Sequence, residues 1–153
     1  MTENPITIRA DKSLRAALQV MEDNRVKHLP VVSTQGHLVG VVSDRDCRHA
    51  LNSPFIMLER WQDEELTIRL KVRSVMTAAP IVAEPDTSAE ELVRLMLNHG
   101  IGCLPVMRAE TIVGIVTRSD ILVAFMNIHR HYEQIIDKMP ELSTPLSTNG
   151  KNG

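Results

Sequence analysis

Aromatic residues, cysteines and long apolar runs are all scarce in this 153-residue chain, and neither sign of charge dominates it. Only 3% of the residues are aromatic, and 17 Lys and Arg nearly balance 19 Asp and Glu, which gives a formal net charge of −2. The longest apolar run, Ile121 to Met126, is far shorter than the roughly 18 residues of a membrane helix. We therefore expect a globular protein that uses neither a nucleic acid nor a membrane as its partner.

The N-terminus and the cysteines bear on the cellular location of the protein. The first ten residues lack the basic stretch and apolar core of a secretory signal, so we expect a cytoplasmic protein. The two cysteines, Cys47 and Cys103, are too far apart for a metal knuckle. We interpret them as buried thiols, with a disulfide between them as the alternative.

Motifs for catalysis and metal binding are missing from the sequence. The chain has six histidines, but His129 and His131 are two residues apart and so fall on different faces of a helix. A Walker loop, a dinucleotide-binding glycine pattern and a nucleophile elbow are absent as well. These absences predict a protein that is not an enzyme and holds no metal.

The chain contains an internal repeat. When the sequence is aligned with itself at an offset of 75 residues, ten residues of the first half fall on identical residues of the second half. The first-half residues are Met1, Thr2, Pro5, Ile6, Asp11, Ser13, Met21, Leu29, Pro30 and Val31. In the same order, they fall on Met76, Thr77, Pro80, Ile81, Asp86, Ser88, Met96, Leu104, Pro105 and Val106. After a one-residue deletion, Gly40, Ser43 and Asp46 fall on Gly114, Thr117 and Asp120. The matches keep their order along the chain, so chance does not explain them.

Each repeat predicts the same order of elements, β-α-β-β-α. The helix is predicted by apolar residues at i, i+3, i+4 and i+7: Leu14, Ala17, Leu18 and Met21 in the first repeat, and Ala89, Leu92, Val93 and Met96 in the second. Short apolar runs predict the strands: 6–8, 29–32 and 38–42, then 81–83, 104–107 and 112–116. Second helices are predicted at 44–51 and from Arg118 onward. The fold class is α/β, more specifically α+β, with two repeats packed in pseudo-two-fold symmetry.

Four segments follow from this pattern. Repeat one is predicted over 1–52 and repeat two over 74–138, because each unit of about 50 residues needs the other to complete a core. A helical connector over 53–73 contains the only tryptophan, Trp61. A flexible tail over 139–153 follows from its Pro, Ser, Thr, Asn and Gly content.

The junction between the last strand and the last helix carries a motif in both repeats. It reads Gly40-Val-Val-Ser43-Asp-Arg-Asp46 and Gly114-Ile-Val-Thr117-Arg-Ser119-Asp120, each preceded by Leu-Pro-Val. In these residues the sequence resembles a CBS domain pair, or Bateman module, over nearly its whole length. In detail it resembles the stand-alone bacterial pairs described as acetoin utilisation proteins.

The resemblance implies a regulatory protein that needs no cofactor and binds an adenosine-containing ligand, such as AMP, ADP, ATP, NAD or S-adenosylmethionine. Asp46 and Asp120 would accept hydrogen bonds from ribose hydroxyls, a role that suits an acceptor-only carboxylate. Two clefts are implied. Cleft one has Ile6, Thr7, His28, Leu29, Pro30, Ser43, Arg45 and Asp46 as its candidate residues, and cleft two has Pro80, Ile81, Val82, Cys103, Leu104, Pro105, Thr117, Arg118, Ser119 and Asp120.

Alternatives to ligand contact stay open for each kind of residue. In the alternative interpretation, the apolar residues belong to core strands, and any contact with a ligand would come largely from their backbone atoms. Arg45 and Arg118 are candidates for phosphate contacts or for surface positions, and Asp46 and Asp120 for helix N-terminal carboxylates. We expect cleft two to bind more readily, because Asp44 places a second carboxylate in the first motif.

Two functions are consistent with these features. The first is a homodimeric sensor that signals its ligand to an unidentified effector protein. The second is a scaffold or oligomerisation protein that uses the same fold and binds no nucleotide.

Overall fold

The protein is described by a computed structural model that covers residues 1–51 and 70–138. It divides into two compact units, Met1–Arg118 and Ser119–Gly153. The described residues contain four α-helices and two β-sheets, so the α+β expectation is confirmed. The predicted tail at 139–153 and nearly all of the predicted connector, including Trp61, lie outside the described residues.

Repeat one folds in the predicted order, with one additional strand at its start. Its elements are β1 (Thr2–Glu3), β2 (Ile8–Arg9), α1 (Leu14–Asp23), β3 (His28–Val32), β4 (Leu38–Ser43) and α2 (Asp44–Leu51). Ser13 caps α1 because its Oγ accepts a hydrogen bond from the Ala16 N–H at 3.2 Å. The helix buries Leu14, Ala17 and Met21, as its apolar spacing predicts.

Repeat two follows a 3₁₀ turn at Val72–Ser74. Its elements are β5 (Thr77–Ala78), α3 (Ala89–His99), β6 (Cys103–Arg108), β7 (Thr111–Thr117) and α4 (Arg118–Lys138). Ser88 caps α3 in the same way as Ser13 caps α1, since its Oγ accepts from the Glu91 N–H at 3.2 Å. Gly100 ends α3 with a φ of 64°, a left-handed conformation that glycine adopts without strain.

The first strand of each repeat pairs with the sheet of the other repeat. In the sheet β2-β3-β4-β5, the repeat-two strand β5 lies antiparallel to β4, with Gly40 opposite Ala78. In the sheet β1-β7-β6, the repeat-one strand β1 lies antiparallel to β7, with Glu3 opposite Gly114. The repeats are therefore joined by a reciprocal exchange of strands within the first unit.

A glycine lies at the centre of each exchange. A Cβ atom on Gly40 would meet the Met76 Sδ at 2.6 Å and the Thr77 backbone oxygen at 2.9 Å. A Cβ atom on Gly114 would meet the Met1 Sδ at 2.8 Å and the Thr2 backbone oxygen at 3.3 Å. The shared glycine of the two motifs is thus explained by the close approach of the exchanged segment.

Two predicted strands differ from the structure. The extended stretch at 81–83 forms only one isolated bridge, Ala83 with Val106, and the stretch at 6–8 becomes the strand Ile8–Arg9. In each case the segment follows a proline, Pro80 or Pro5, which offers no N–H to a sheet. The β-α-β-β-α order also omitted β1 and β5, the strands that cross between repeats.

Candidate functional site

The first motif forms a reciprocal cap at the start of α2. The Asp46 Oδ2 accepts hydrogen bonds from the Ser43 N–H at 2.9 Å and from the Ser43 hydroxyl at 2.6 Å. The Ser43 Oγ in turn accepts from the Asp46 N–H at 3.2 Å. These bonds satisfy free donors at the helix N-terminus. Asp46 therefore stabilises the fold through these bonds, which leave its Oδ1 unused, and its contact with a ligand stays a prediction.

A concave pocket lies beside this cap. It has a volume of about 440 Å³ and is lined by Arg45, Asp46, His49, Ala50, Ser74 and Val75. This volume falls within the roughly 300–1,000 Å³ of small-molecule sites, but the pocket is open to solvent rather than enclosed. Arg45 and His49 are four residues apart on α2, and so project from one face of the helix. The pocket thus brings a guanidinium, an imidazole and a carboxylate together with the apolar surface of Val75.

Four residues of this pocket, His49, Ala50, Ser74 and Val75, are not among the candidates named from the sequence. His49 carried a usable signal, because it follows the candidate Arg45 at i+4 in a predicted helix. Ser74 carried none. It reaches the pocket only because the 3₁₀ turn Val72–Ser74 leads the chain into β5 and so past α2.

The sheet register places the hydroxyl residue of each motif opposite another candidate residue of the same cleft. His28 is opposite Ser43 in the β3–β4 pair, and Cys103 is opposite Thr117 in the β6–β7 pair. These are the pairs that the sequence assigned to cleft one and cleft two. The Asp46 carboxylate acts electrostatically on both His28 and Cys103, so the first motif lies close to residues of both candidate clefts.

The His28 side chain packs against the second repeat. A Cβ atom on Gly102 would lie 3.1 Å from the His28 Nε2, so the absence of a side chain at Gly102 makes room for the imidazole. Burial lowers the pKa of His28 below its ordinary value of 6.5, and the cations Arg118 and Lys27 lower it further, while Asp46 opposes the change. The neutral imidazole is therefore the form that the fold favours.

The buried position of His28 predicts a pH-dependent stability. Because its folded pKa lies below the unfolded value of 6.5, the unfolded chain binds the proton more tightly, and stability is lost as the pH falls below about 6.5. We expect the free energy of unfolding in urea to decrease less between about pH 7.5 and pH 5.5 in His28→Gln than in the wild type. His99→Gln, at an exposed helix end, is the control, and an equal decrease in His28→Gln and the wild type would refute the assignment.

Both cysteines are free and buried, which confirms the buried-thiol interpretation. Burial raises the pKa of each thiol to about 11, with further contributions from Asp46 and Asp44 at Cys47 and from Asp46 at Cys103. A thiol with such a pKa carries almost no thiolate at neutral pH. Neither side chain therefore offers a nucleophile.

The two candidate arginines have different surroundings. Arg45 lines the pocket beside Asp46. Arg118 donates from Nε to the Ile101 carbonyl and from Nη2 to the Gly100 carbonyl, both at 3.2 Å. Its guanidinium thus stabilises the C-terminal end of α3, where cations are favoured. A phosphate contact by Arg118 stays a prediction, and it would have to compete with these two bonds.

The second motif occupies the same strand-to-helix junction as the first. Thr117 is the last residue of β7, and Ser119 and Asp120 lie in the first turn of α4. This is the position that Asp46 holds in α2. Carboxylates near a helix N-terminus are electrostatically favoured, so both interpretations of Asp120 are compatible with its place.

The candidate residues from the strands that precede the two motifs, most of them apolar, separate into buried and exposed sets. Four side chains are fully buried in the core: Leu29, Pro30, Leu104 and Pro105. Ile6 and Val82 are instead 41% and 42% exposed, and Thr7 is exposed while Pro80 and Ile81 are half-buried. The buried set can offer a ligand only backbone atoms, whereas Ile6 and Val82 can offer side-chain surface to an apolar ring.

Within the described residues, no cluster of three or more His, Cys, Asp or Glu side chains could hold a metal ion. The helices in that part of the chain include none that is long and apolar enough to span a membrane.

Comparison with known proteins gives consistent matches. The family model of the CBS domain matches residues 1–53 and 72–127. A CBS domain-containing protein of Dictyostelium discoideum is 38% identical over 124 residues, which cover 80% of this chain and 85% of that protein. Each repeat found in the sequence is thus matched by one copy of the same domain.

Two crystal structures also resemble this chain. One is described as an acetoin utilization protein, AcuB, of Vibrio cholerae, with 30% identity and a TM-score of 0.71 over 87% of this chain and 92% of that one. The other is CBSX2, a CBS-pair protein of Arabidopsis thaliana, in complex with AMP. It is 32% identical, with a TM-score of 0.66 over 84% of this chain and 94% of that one.

Proposed function

The chain belongs to the CBS domain family as a pair of CBS repeats, and we propose that it is a non-catalytic regulatory module whose ligand contains adenosine. The observation that carries the proposal is the motif at both strand-to-helix junctions, Ser43 with Asp46 and Thr117 with Asp120. The 32% identical structure with AMP bound supports the choice of ligand.

The chemistry of the described pocket fits this ligand class. A ribose presents two adjacent hydroxyls, and the Oδ1 of Asp46 is an acceptor beside the pocket that the capping bonds do not use. Arg45 and His49 line the same pocket and supply donors for a phosphate. Charge-assisted bonds of this kind are stronger than neutral ones, which favours a phosphorylated adenosine in this cleft.

The proposed mechanism is a shift between arrangements of the module. A ligand stabilises the arrangement that it binds more tightly, by an amount equal to its difference in affinity between the arrangements. We propose that the module acts as a homodimer and that an effector protein reads the ligand-stabilised arrangement. No effector domain lies within the two matched repeats.

The proposal is tested by thermal unfolding of nucleotide-stripped protein with AMP, ADP, ATP, NAD and S-adenosylmethionine. A ligand at about 100 times its dissociation constant adds roughly 2.7 kcal/mol of stability. We expect at least one of the five to raise the melting temperature of the wild type, and Asp120→Ala to lose most of that shift, because a ribose acceptor is removed.

Asp137→Ala is the matched control, since it removes a carboxylate from the C-terminal end of the same helix. It is expected to keep the full shift. Asp46→Ala also removes the bonds from Ser43 that cap α2. An unchanged melting temperature with all five ligands would contradict the proposal and favour the scaffold function.

A further inference from the structure

Two basic side chains of α2 line the pocket beside the first motif. They are Arg45 and His49, and both residues are exposed. Within residues 1–51 and 70–138, neither side chain forms a hydrogen bond or an ion pair. The guanidinium fork and the imidazole N–H are therefore available to a ligand.

The other arginines near the two motifs are already bonded. Arg48 donates from Nε to the Asp44 Oδ1 at 2.7 Å, and so offsets the charge of the second carboxylate in the first motif. Arg118 is held by its two bonds to backbone carbonyls at the end of α3. Arg45 is therefore the motif arginine that can bind a phosphate without giving up an existing bond.

The second motif does not repeat this basic pair. The alignment of the two motifs places Arg45 on Ser119 and His49 on Val123. A serine hydroxyl is a neutral donor, and a valine, here 56% exposed, donates no hydrogen bond from its side chain. The aspartate that suits a ribose is thus present in both repeats, whereas the basic pair belongs to the first repeat.

The composition of the pocket suits a ribose that carries a phosphate. Asp46 lines the same pocket as Arg45 and His49, so that an acceptor for hydroxyls and the basic donors lie side by side. Adenosine and AMP share the ribose, but only AMP has a phosphate. The carboxylate therefore favours both ligands, and the basic pair adds affinity for AMP alone.

We propose that Arg45 and His49 make the first cleft selective for adenosine ligands that carry a phosphate, whereas the second cleft does not distinguish ligands by their phosphate. The inference rests on the proposed function, since it assigns a ligand class to each cleft. It concerns which ligands a cleft distinguishes and not which cleft binds more tightly. The two repeats then respond to different ligands, nucleotides in the first cleft and any adenosine ligand in the second.

The openness of the pocket sets the size of the expected selectivity. Hydrogen bonds to a charged group change an affinity by about ten- to a hundredfold. The pocket is open to solvent, which screens the charges and places the effect at the lower end of this range. We therefore expect the first cleft to bind AMP about tenfold more tightly than adenosine.

The test is isothermal titration calorimetry of the nucleotide-stripped full chain with AMP and with adenosine. Both ligands are titrated into the wild type and into Asp120→Ala, which lacks the ribose acceptor of the second motif. The binding that Asp120→Ala retains therefore reports on the first cleft. We expect this retained binding to be weaker than that of the wild type and to favour AMP over adenosine by about tenfold.

Two double variants in the Asp120→Ala background assign the preference to the basic pair. Arg45→Gln with His49→Gln removes the pair from the pocket, and we expect the affinity for AMP to fall to that for adenosine while the affinity for adenosine is unchanged. Arg48→Gln with His99→Gln is the matched control, because it removes the same two residue types from exposed helix positions outside the pocket lining. It is expected to keep the preference, and circular dichroism checks that each variant is folded.

Four results would overturn the inference. They are no binding of AMP to Asp120→Ala, equal affinities of this variant for AMP and adenosine, an unchanged preference without the basic pair, and an equal loss of preference in the matched control. Inorganic phosphate is titrated alone as well, and a heat equal to that of AMP would overturn the inference in favour of a general anion site. In all these cases the proposed function stands if the wild type binds an adenosine ligand, whereas a wild type that binds none contradicts both.

Discussion

Gly40→Ala is expected to lower the free energy of unfolding by about 3 kcal/mol, as overpacking a tight contact does. The added Cβ would lie 2.6 Å from the Met76 Sδ and 2.9 Å from the Thr77 backbone oxygen. The methionine end can move, but the oxygen belongs to β5, which pairs with β4 at this point. Urea denaturation followed by circular dichroism measures the loss.

A second glycine and a double variant make this prediction specific. A Cβ atom on Gly114 would lie 3.3 Å from the Thr2 backbone oxygen. We therefore expect Gly114→Ala to lower the free energy of unfolding by less, about 1 kcal/mol. Met76→Ala removes the sulfur and the Cγ atom that crowd Gly40, so Gly40→Ala should cost less in that background than in the wild type. Equal losses at Gly40 and Gly114, with no effect of Met76→Ala, would contradict the strand-exchange explanation.

Leu29→Ala and Leu104→Ala are each expected to destabilise the protein by about 2–5 kcal/mol. These residues occupy equivalent places in the two repeats, and both are fully buried. We expect each variant to unfold in one cooperative transition, because β1 and β5 tie the repeats together. Val41 of repeat one also packs with Cys103 and Ile115 of repeat two.

Leu97→Ala is the matched control, because it makes the same change at a helical position that is 75% exposed. It should alter stability by no more than about 0.5 kcal/mol. Two separate transitions in Leu29→Ala or Leu104→Ala, seen by differential scanning calorimetry, would show that the repeats unfold independently and would contradict the shared architecture.

The helices and the main strands could be predicted because their signals are local. Apolar spacing and a serine cap predict α1 and α3, and the predicted range 44–51 is the range of α2. The exchanged strands carried no such signal. Thr2–Glu3 and Thr77–Ala78 are two residues long, exposed and without an apolar run, and each is a strand because the opposite repeat supplies a partner.

The candidate site was only partly predictable for a similar reason. The motif predicts which residues lie at the strand-to-helix junctions, and the register sets His28 beside Ser43 and Cys103 beside Thr117. The bonds of Arg118 depend on where α3 ends. These contacts join residues about 17 positions apart, so spacing within the motif does not reveal them.

The central claim is that the module binds an adenosine-containing ligand, and isothermal titration calorimetry of nucleotide-stripped wild type with AMP tests it most directly. The account predicts a saturable heat of binding that adenosine-free ribose 5-phosphate does not produce and that Asp120→Ala greatly reduces. Equal heats for AMP and ribose 5-phosphate, or no saturable heat from a folded wild type with AMP, ADP, ATP, NAD or S-adenosylmethionine, would contradict it.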